Sequence, residues 1–478
     1  MGGLTFAAAA SLATPASALP TGPTAFCETY PDAPSCQGAL PSCEHCHETP
    51  PARNLLGRDL EAVLLPGEPR PLDADAFTDA LPQALVDIEV LDSDEAGYDN
   101  LDEWLAGTDA SDAGSYPGAD ACAGDPDKTV WRYDVCEYDA RFTLTRVMAD
   151  FCGASPDYDT SKSVESANDP RAVIHEALDA CLKTEYWRGR DGVLWRIAHS
   201  KIRPSAAIKA GEDAGDIPLG DYEDDYNLFV YTQIEGRDAR ELLTAQYHVE
   251  RDDGPPTTYT QYSRTPTQDV LARGVRVAQF TPVDRRAGML TTRWNFVTNT
   301  MFTPIPRTTA AAAYRNWLGY DIAKMEGLQD VGGEPADYDA KGVDAEACAS
   351  CHATLDPLTY PFSRYYGLGG GTPGSYDEDR MSTYVDTEGE GLLETPETGS
   401  LLGQEVADVL EWGQVAAESD AFARTLVLDY WTQMLGQGPT ADDTAAFTEL
   451  WSDFSTVHGY SIDAMLHDLI DTEAYSVP

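Results

Sequence analysis

CASCHATLDPLTYPFSRY, residues 348–365, opens on Cys348, Cys351 and His352 in the spacing C-x-x-C-H. The same signature stands 305 positions earlier, as Cys43, Cys46 and His47 in CEHCH, residues 43–47. This spacing is the attachment site of a c-type haem: the two thiols form thioethers with the porphyrin vinyl groups, and the next imidazole ligates the iron. Structural zinc sites also use C-x-x-C. Their histidine usually follows at a wider spacing, however, and each needs four ligands where each cluster here offers three. A thioredoxin-like thiol pair would need a βαβ context, which neither stretch has. The clusters therefore predict haem redox chemistry, with zinc or a disulfide as competing occupants.

Outward from these clusters the chain reads as mainly α, a helical multidomain protein with cytochrome-like haem segments. Helical patterns cover residues 54–65 and 75–91, then 191–199, 222–233, 238–246 and 309–322. In 131–152, Phe142, Leu144, Val147, Met148 and Phe151 fall on one face. Asp169 and Pro170 make an N-cap and first-turn pair for a helix through Trp187. Four helices close the chain, over 403–416, 420–435 with Gly436 as the stop, 441–454 and 461–472. The expected organisation is an N-terminal haem and calcium segment to 106, a Gly/Ser/Asp/Pro linker over 107–127 and a helical middle domain over 128–335. A haem segment over 336–398 and a helical end over 399–478 complete it.

The pattern 75–91 runs into DSDEAGYDNLDE, residues 92–103, an EF-hand-like calcium loop. Asp92, Asp94, Asn100 and Glu103 stand at positions 1, 3, 9 and 12, the Tyr98 carbonyl at 7 and Gly97 at the sharp turn. Ala96 departs from the pattern at position 5, where a carboxylate or amide is usual, so calcium affinity is expected to fall. An acidic turn without metal is the plainer reading.

The balance of 32 basic against 81 acidic residues, a net charge of -49, disfavours nucleic acid and anionic lipid as partners. A basic redox partner or divalent cations suit it better, and solubility alone would also account for it. An apolar stretch, 4–13, leads to Ala16-Ser17-Ala18, a signal-peptidase pattern without a basic n-region, so residues 1–18 read as the remnant of a signal peptide. No other stretch approaches the ~18 apolar residues of a membrane span. Of the 10 cysteines, Cys27, Cys36, Cys122, Cys136, Cys152 and Cys181 lie outside the haem motifs. Six cysteines allow about 15 connectivities, of which pairing with the nearest neighbour in sequence is the simplest. Haem attachment and disulfides both predict a periplasmic or extracellular protein.

The run CASCHATLDPLTYPFSRY, with Asp356-Pro357 after the haem motif, resembles the haem site of the large exported cytochrome c-like proteins typical of planctomycetes and myxobacteria. RRAGMLTTRWNFVTNTMFTPIPRTTAAAAYRNWLG (285–319) resembles the segment preceding that motif, and GRDARELLTAQYH (236–248) an earlier helix of their middle domain. The likeness covers about 131–478. It implies an exported, haem-bearing, helical protein and supplies no substrate. The glycine-rich run 367–374 departs from the charged segment usual in the family.

Electron transfer and catalysis differ in whether the iron's distal position is filled. For the second haem, Met381 lies within reach, with Met434, Met465, His458 and His467 as alternatives. For the first, no methionine falls between Met1 and Met148, and His45 and His47 are the only histidines before His175. Two covalent haems c and calcium in an electron-transfer protein form the leading expectation. A dihaem peroxidase or oxidase with one open haem is the second, and a zinc- or disulfide-stabilised binding protein the third.

Overall fold

The structure, a computed structural model, describes residues 21–37, 40–49, 52–70, 72, 74–113, 115, 129–130, 133–134, 138–211, 213–262, 279–300, 302–324, 335–384, 392 and 394–477. The signal-peptide pattern and the expected Cys122–Cys136 pairing lie outside these residues. The chain divides into two compact units, Met1–Ala119 and Asp120–Pro478, and both are mainly helical.

The first unit holds helices α1 (Thr21–Thr29), α2 (Leu55–Val63), α3 (Ala74–Ile88) and α4 (Asn100–Ala106), with a short antiparallel hairpin of β1 (His47–Thr49) and β2 (Ala52–Arg53). Leu81, Leu85 and Ile88 recur at helical spacing on α3 and are buried with Phe26, Tyr30, Leu56, Leu60 and Trp104. Each such side chain contributes about 1.5–3 kcal/mol by leaving water. Cys27 and Cys36 form a disulfide that ties α1 to the turn behind it.

The second unit continues with the two-residue strands β3 (Thr129–Val130) and β4 (Tyr133–Asp134), then α5 (Ala140–Cys152), α6 (Tyr158–Glu165), α7 (Pro170–Cys181), α8 (Glu185–Arg188), α9 (Val193–Ile202), α10 (Glu223–Thr232) and α11 (Glu241–Thr244). After the hairpin β5 (His248–Asp252) and β6 (Thr258–Tyr262) come α12 (Arg293–Asn299), α13 (Arg307–Ala313) and α14 (Glu346–Leu355). The hairpin β7 (Gly399–Leu401) and β8 (Gln404–Val406) precedes α15 (Val409–Ala417), α16 (Asp420–Leu435), α17 (Thr444–Thr456), α18 (Ile462–Asp471) and α19 (Glu473–Ser476). One apolar core runs from Leu144 to Tyr475 and takes in Leu358, Phe362 and Tyr365, which follow the second thiol cluster in sequence. Cys152 and Cys181 join α5 to α7. In the chain-entropy account, closing a loop of that size contributes about 3–4 kcal/mol. Arg146 on α5 donates to the carbonyls of Met434 (3.0 Å) and Tyr475 (3.0 Å), fastening the C-terminus to the same helix.

Several expected boundaries move for local reasons. The helix starting at Pro170 ends at Cys181, because Thr184 caps a new one by accepting from the Trp187 N–H and donates to the Cys181 carbonyl. The helix expected over 403–416 begins only at Val409, where Asp408 caps it. Leu402 and Gly403 both have positive φ and make the two-residue turn of the β7–β8 hairpin instead. The pattern 309–322 is α13 followed by a π-turn, Tyr314–Leu318.

Asp221, Asp224 and Asp225 are buried around the start of α10. Asp224 accepts from Gln279, Asp225 from Thr292 Oγ1, and Asp221 from the Glu223 N–H. Burial, reinforced by Asp224, pushes the Asp221 carboxyl up to about 7. Its unfolded value is about 3.9, so the fold gains from this group below about pH 4 and loses that gain as pH rises towards 7. Asp221→Asn is expected to melt higher than the parent at about pH 8, by on the order of 1–3 kcal/mol, with no gain at about pH 4. Paired thermal melts at the two pH values check this, and equal melting at the higher pH contradicts it.

Candidate metal centres

In the first cluster, Cys43–His45 form a 3-10 turn opened by Ser42, whose Oγ accepts from the Glu44 N–H. Asn54 holds this turn from the start of α2. Its Nδ2 donates to the carbonyls of Glu44 (3.0 Å) and His45 (3.1 Å) and to Ser111 Oγ (3.2 Å), while its Oδ1 accepts from the Gly57 N–H. Helix α2 comes so close that a Cβ at Gly57 would collide with the Cys46 carbonyl oxygen. The His45 ring meets Phe26 edge-on at 4.7 Å, and Phe26 meets Trp104 of α4 at 5.3 Å. His45 Nε2 is buried without a hydrogen-bond partner, and burial lowers its pKa. His47, the imidazole that directly follows Cys46, is engaged at both ring nitrogens.

His47 Nδ1 lies 3.2 Å from the Ala52 carbonyl. Arg53 Nη1 lies 2.9 Å from the same Nδ1 and 3.1 Å from Nε2, so the guanidinium covers both ring nitrogens. A metal at Nε2 requires the half-exposed Arg53 guanidinium to turn aside. Burial pushes the Cys46 thiol up to about 11, opposed by the charge of Arg53.

The second cluster sits on α14, where Cys348 and Cys351 are both exposed and one helical turn apart. His352 Nδ1 lies 3.0 Å from Asp356 Oδ1. Asp356, 1 % exposed, is held by Arg307, which donates from Nε (2.7 Å) and Nη2 (2.7 Å) and reaches Asp339 with Nη1 (2.7 Å). A carboxylate on one ring nitrogen orients the imidazole and raises the basicity of the other. His352 Nε2 is without a hydrogen-bond partner among the described residues. Unpaired thiols beside an imidazole held at Nδ1 by a carboxylate fit a covalently attached haem at the second cluster; the thiols and His47 of the first fit one only once Arg53 moves off the ring. Among the described residues, the unpaired cysteines are Cys43, Cys46, Cys348 and Cys351.

Of the distal candidates, Met434 and Met465 are packed in the apolar core, and His458 and His467 are paired with Asp468 and Asp179. Met381 is 2 % exposed and lies outside that core, in a turn fixed by Arg380, which donates to the carbonyls of Thr303, Pro304 and Ser363. Its thioether is enclosed by protein, unlike the exposed thiols of α14.

The acidic loop joins α3 to α4. Gly97, at φ +93°, donates its N–H to Asp92 Oδ2 (2.9 Å), and Ala96 donates to Asp94 Oδ1 (3.0 Å). Glu103 is 0 % exposed and Asp94 6 %. Both carboxylate oxygens of Glu103 and Oδ2 of Asp94 are buried without a hydrogen-bond partner. Burial and the charges of Asp94, Asp92 and Asp109 push Glu103 up to about 8. Buried orphan oxygens of this kind are costly unless a cation meets them.

Asn100 does other work. It donates to the Ile88 carbonyl (2.7 Å) and Ser93 Oγ (2.9 Å) and accepts from the Ser93 N–H, stapling the loop ends together. The Tyr98 side chain is exposed, so only its carbonyl suits position 7. Among the described residues no three His, Cys, Asp or Glu side chains already converge at metal-binding distances. Filling the loop therefore needs the exposed Asp92 to close on Asp94 and Glu103. Asp109, not singled out from sequence, acts electrostatically on Glu103, His45 and Cys46 together. Its position just beyond α4, in an acidic stretch, was the available signal.

No family model matches the chain, and neither a curated protein nor a solved structure matches it. Among the described residues no helix is long and apolar enough to cross a membrane.

Proposed function

We propose that this chain is an exported c-type cytochrome, with haem c attached at Cys43/Cys46 and at Cys348/Cys351 and calcium in the loop 92–103, that exchanges electrons with an extracytoplasmic redox partner. The observation that carries this reading is the division of the described cysteines: those outside the C-x-x-C-H motifs are in disulfides, and those inside them are not. Disulfides agree with an oxidising compartment. Haem, when bound, supplies a one-electron iron couple. His352 would ligate one iron through Nε2, held at Nδ1 by the Asp356 carboxylate, and His47 the other once Arg53 leaves its ring. Asp356 and Arg307 keep the His352 ring oriented, and the acidic surface favours a basic partner.

A second reading, a dihaem peroxidase or oxidase with its first iron open, draws on the lack of methionine between Met1 and Met148 and on the engagement of His45 with Phe26. A high-spin component that binds cyanide would favour it, whereas two low-spin centres favour electron transfer.

The full chain, produced in a host equipped for cytochrome maturation, is expected to keep an intense Soret band after acid-acetone extraction. Cys348→Ala/Cys351→Ala is expected to lose about half of that covalent haem. Colourless protein with no tetrapyrrole by mass spectrometry ends the haem reading and leaves zinc or thiol chemistry at both clusters.

A further inference from the structure

Outside both thiol clusters, two imidazoles meet edge to edge. His175 of α7 and His467 of α18 have their Nδ1 atoms 2.8 Å apart, with ring centres at 4.7 Å and planes inclined by 34°. Their far nitrogens are each paired with a carboxylate from the opposite helix. His175 Nε2 lies 3.1 Å from Asp471 Oδ2, and His467 Nε2 lies 3.1 Å from Asp179 Oδ1. The crossing follows from helix spacing, since Asp179 is one turn beyond His175 and Asp471 one turn beyond His467. Arg171 Nη1 donates to the other Asp471 oxygen at 2.7 Å and fixes that carboxylate.

A carboxylate accepts only if Nε2 carries a proton, and a neutral imidazole has one proton to give. With both protons on Nε2, two Nδ1 lone pairs point at each other across 2.8 Å, which is repulsive unless a metal ion or a shared proton lies between them. A histidine whose far N–H is bound by a carboxylate is the usual state of a metal ligand. Here that state occurs twice, with the free nitrogens converging.

We propose that His175 and His467 form a two-imidazole site for a divalent transition ion of the zinc class, with water completing the shell. Tetrahedral coordination at Zn–N distances of about 2.0–2.1 Å sets the two nitrogens about 3.3 Å apart. The pair must open by about half an ångström, and side chains 30 % and 24 % exposed have room for it. No third protein donor joins them among the described residues, so the ion is exchangeable rather than caged. Its effect is to clip α7, which carries Cys181, to α18 near the end of the chain.

The test is zinc titration by calorimetry on the full chain, with calcium saturating and the four motif thiols haem-bound or alkylated. The parent is expected to bind one equivalent of zinc that His175→Gln and His467→Gln lack. Asp179→Asn/Asp471→Asn is expected to bind it about 10- to 100-fold more weakly, and His458→Gln like the parent. Equal binding by parent and folded His467→Gln overturns the proposal and leaves a shared proton between the rings. Should that variant misfold, X-ray absorption of the zinc-loaded parent decides: two imidazole nitrogens support the site, and an oxygen-only shell refutes it.

Discussion

Removing calcium is expected to lower the melting temperature of the Met1–Ala119 unit, and Glu103→Gln is expected to abolish that response. A cation held at about a hundredfold excess over its dissociation constant stabilises the folded state by about 2.7 kcal/mol. For a domain of this size that corresponds to more than about 10 °C. The sign follows from the Glu103 carboxyl, which burial and its acidic neighbours push up to about 8. Unfolded, it titrates near 4.3. Without calcium, the stability this group contributes is complete below about pH 4 and is lost as pH rises through about 8. Chelated Glu103→Gln should therefore melt above the chelated parent at about pH 8, the reverse of their order in calcium. Calorimetry with and without chelator reads both effects, and a melting temperature indifferent to chelator at that pH removes calcium from the loop.

Arg307→Met is expected to destabilise the second unit by about 3–5 kcal/mol, because it strands Asp356 and Asp339 as buried, uncompensated carboxylates. Arg307 donates to both through distances of 2.7 Å. Asp356→Asn is the milder probe. It keeps an acceptor for His352 Nδ1 but removes the negative charge that makes Nε2 basic, so a haem ligated there should be easier to reduce. A rise in midpoint potential on the order of 60 mV corresponds to a tenfold change in the equilibrium. Denaturant melts measure the first effect and redox titration the second. An unchanged potential in a folded, haem-loaded Asp356→Asn would show that the carboxylate does not tune the ligand.

The helical class was legible because burial repeats where the apolar pattern repeats. α16 spans the expected Asp420–Leu435, and Ser461 caps α18. Misplaced boundaries trace to polar side chains whose partners are fixed only in three dimensions. Thr184 splits a continuous pattern, and the Leu402–Gly403 turn converts an expected first helical turn into a hairpin. The thiol spacings and the acidic loop were also readable, being local. The supporting residues were not. Asn54, Arg307 and Asp109 reach their clusters across gaps of 9 to 49 residues or through space, and no short spacing marks them. Asn100 shows the opposite failure, a residue in ligand register whose amide is committed to Ile88 and Ser93.

The collision that any side chain at position 57 would make with the Cys46 carbonyl has a bearing on descent. A lineage can vary that position only after abandoning the geometry of its N-terminal thiol pair, so the two should be lost together. In a diverged relative, the letter at this one site in α2 would then tell a chain that keeps this turn from one that merely preserves the cysteines.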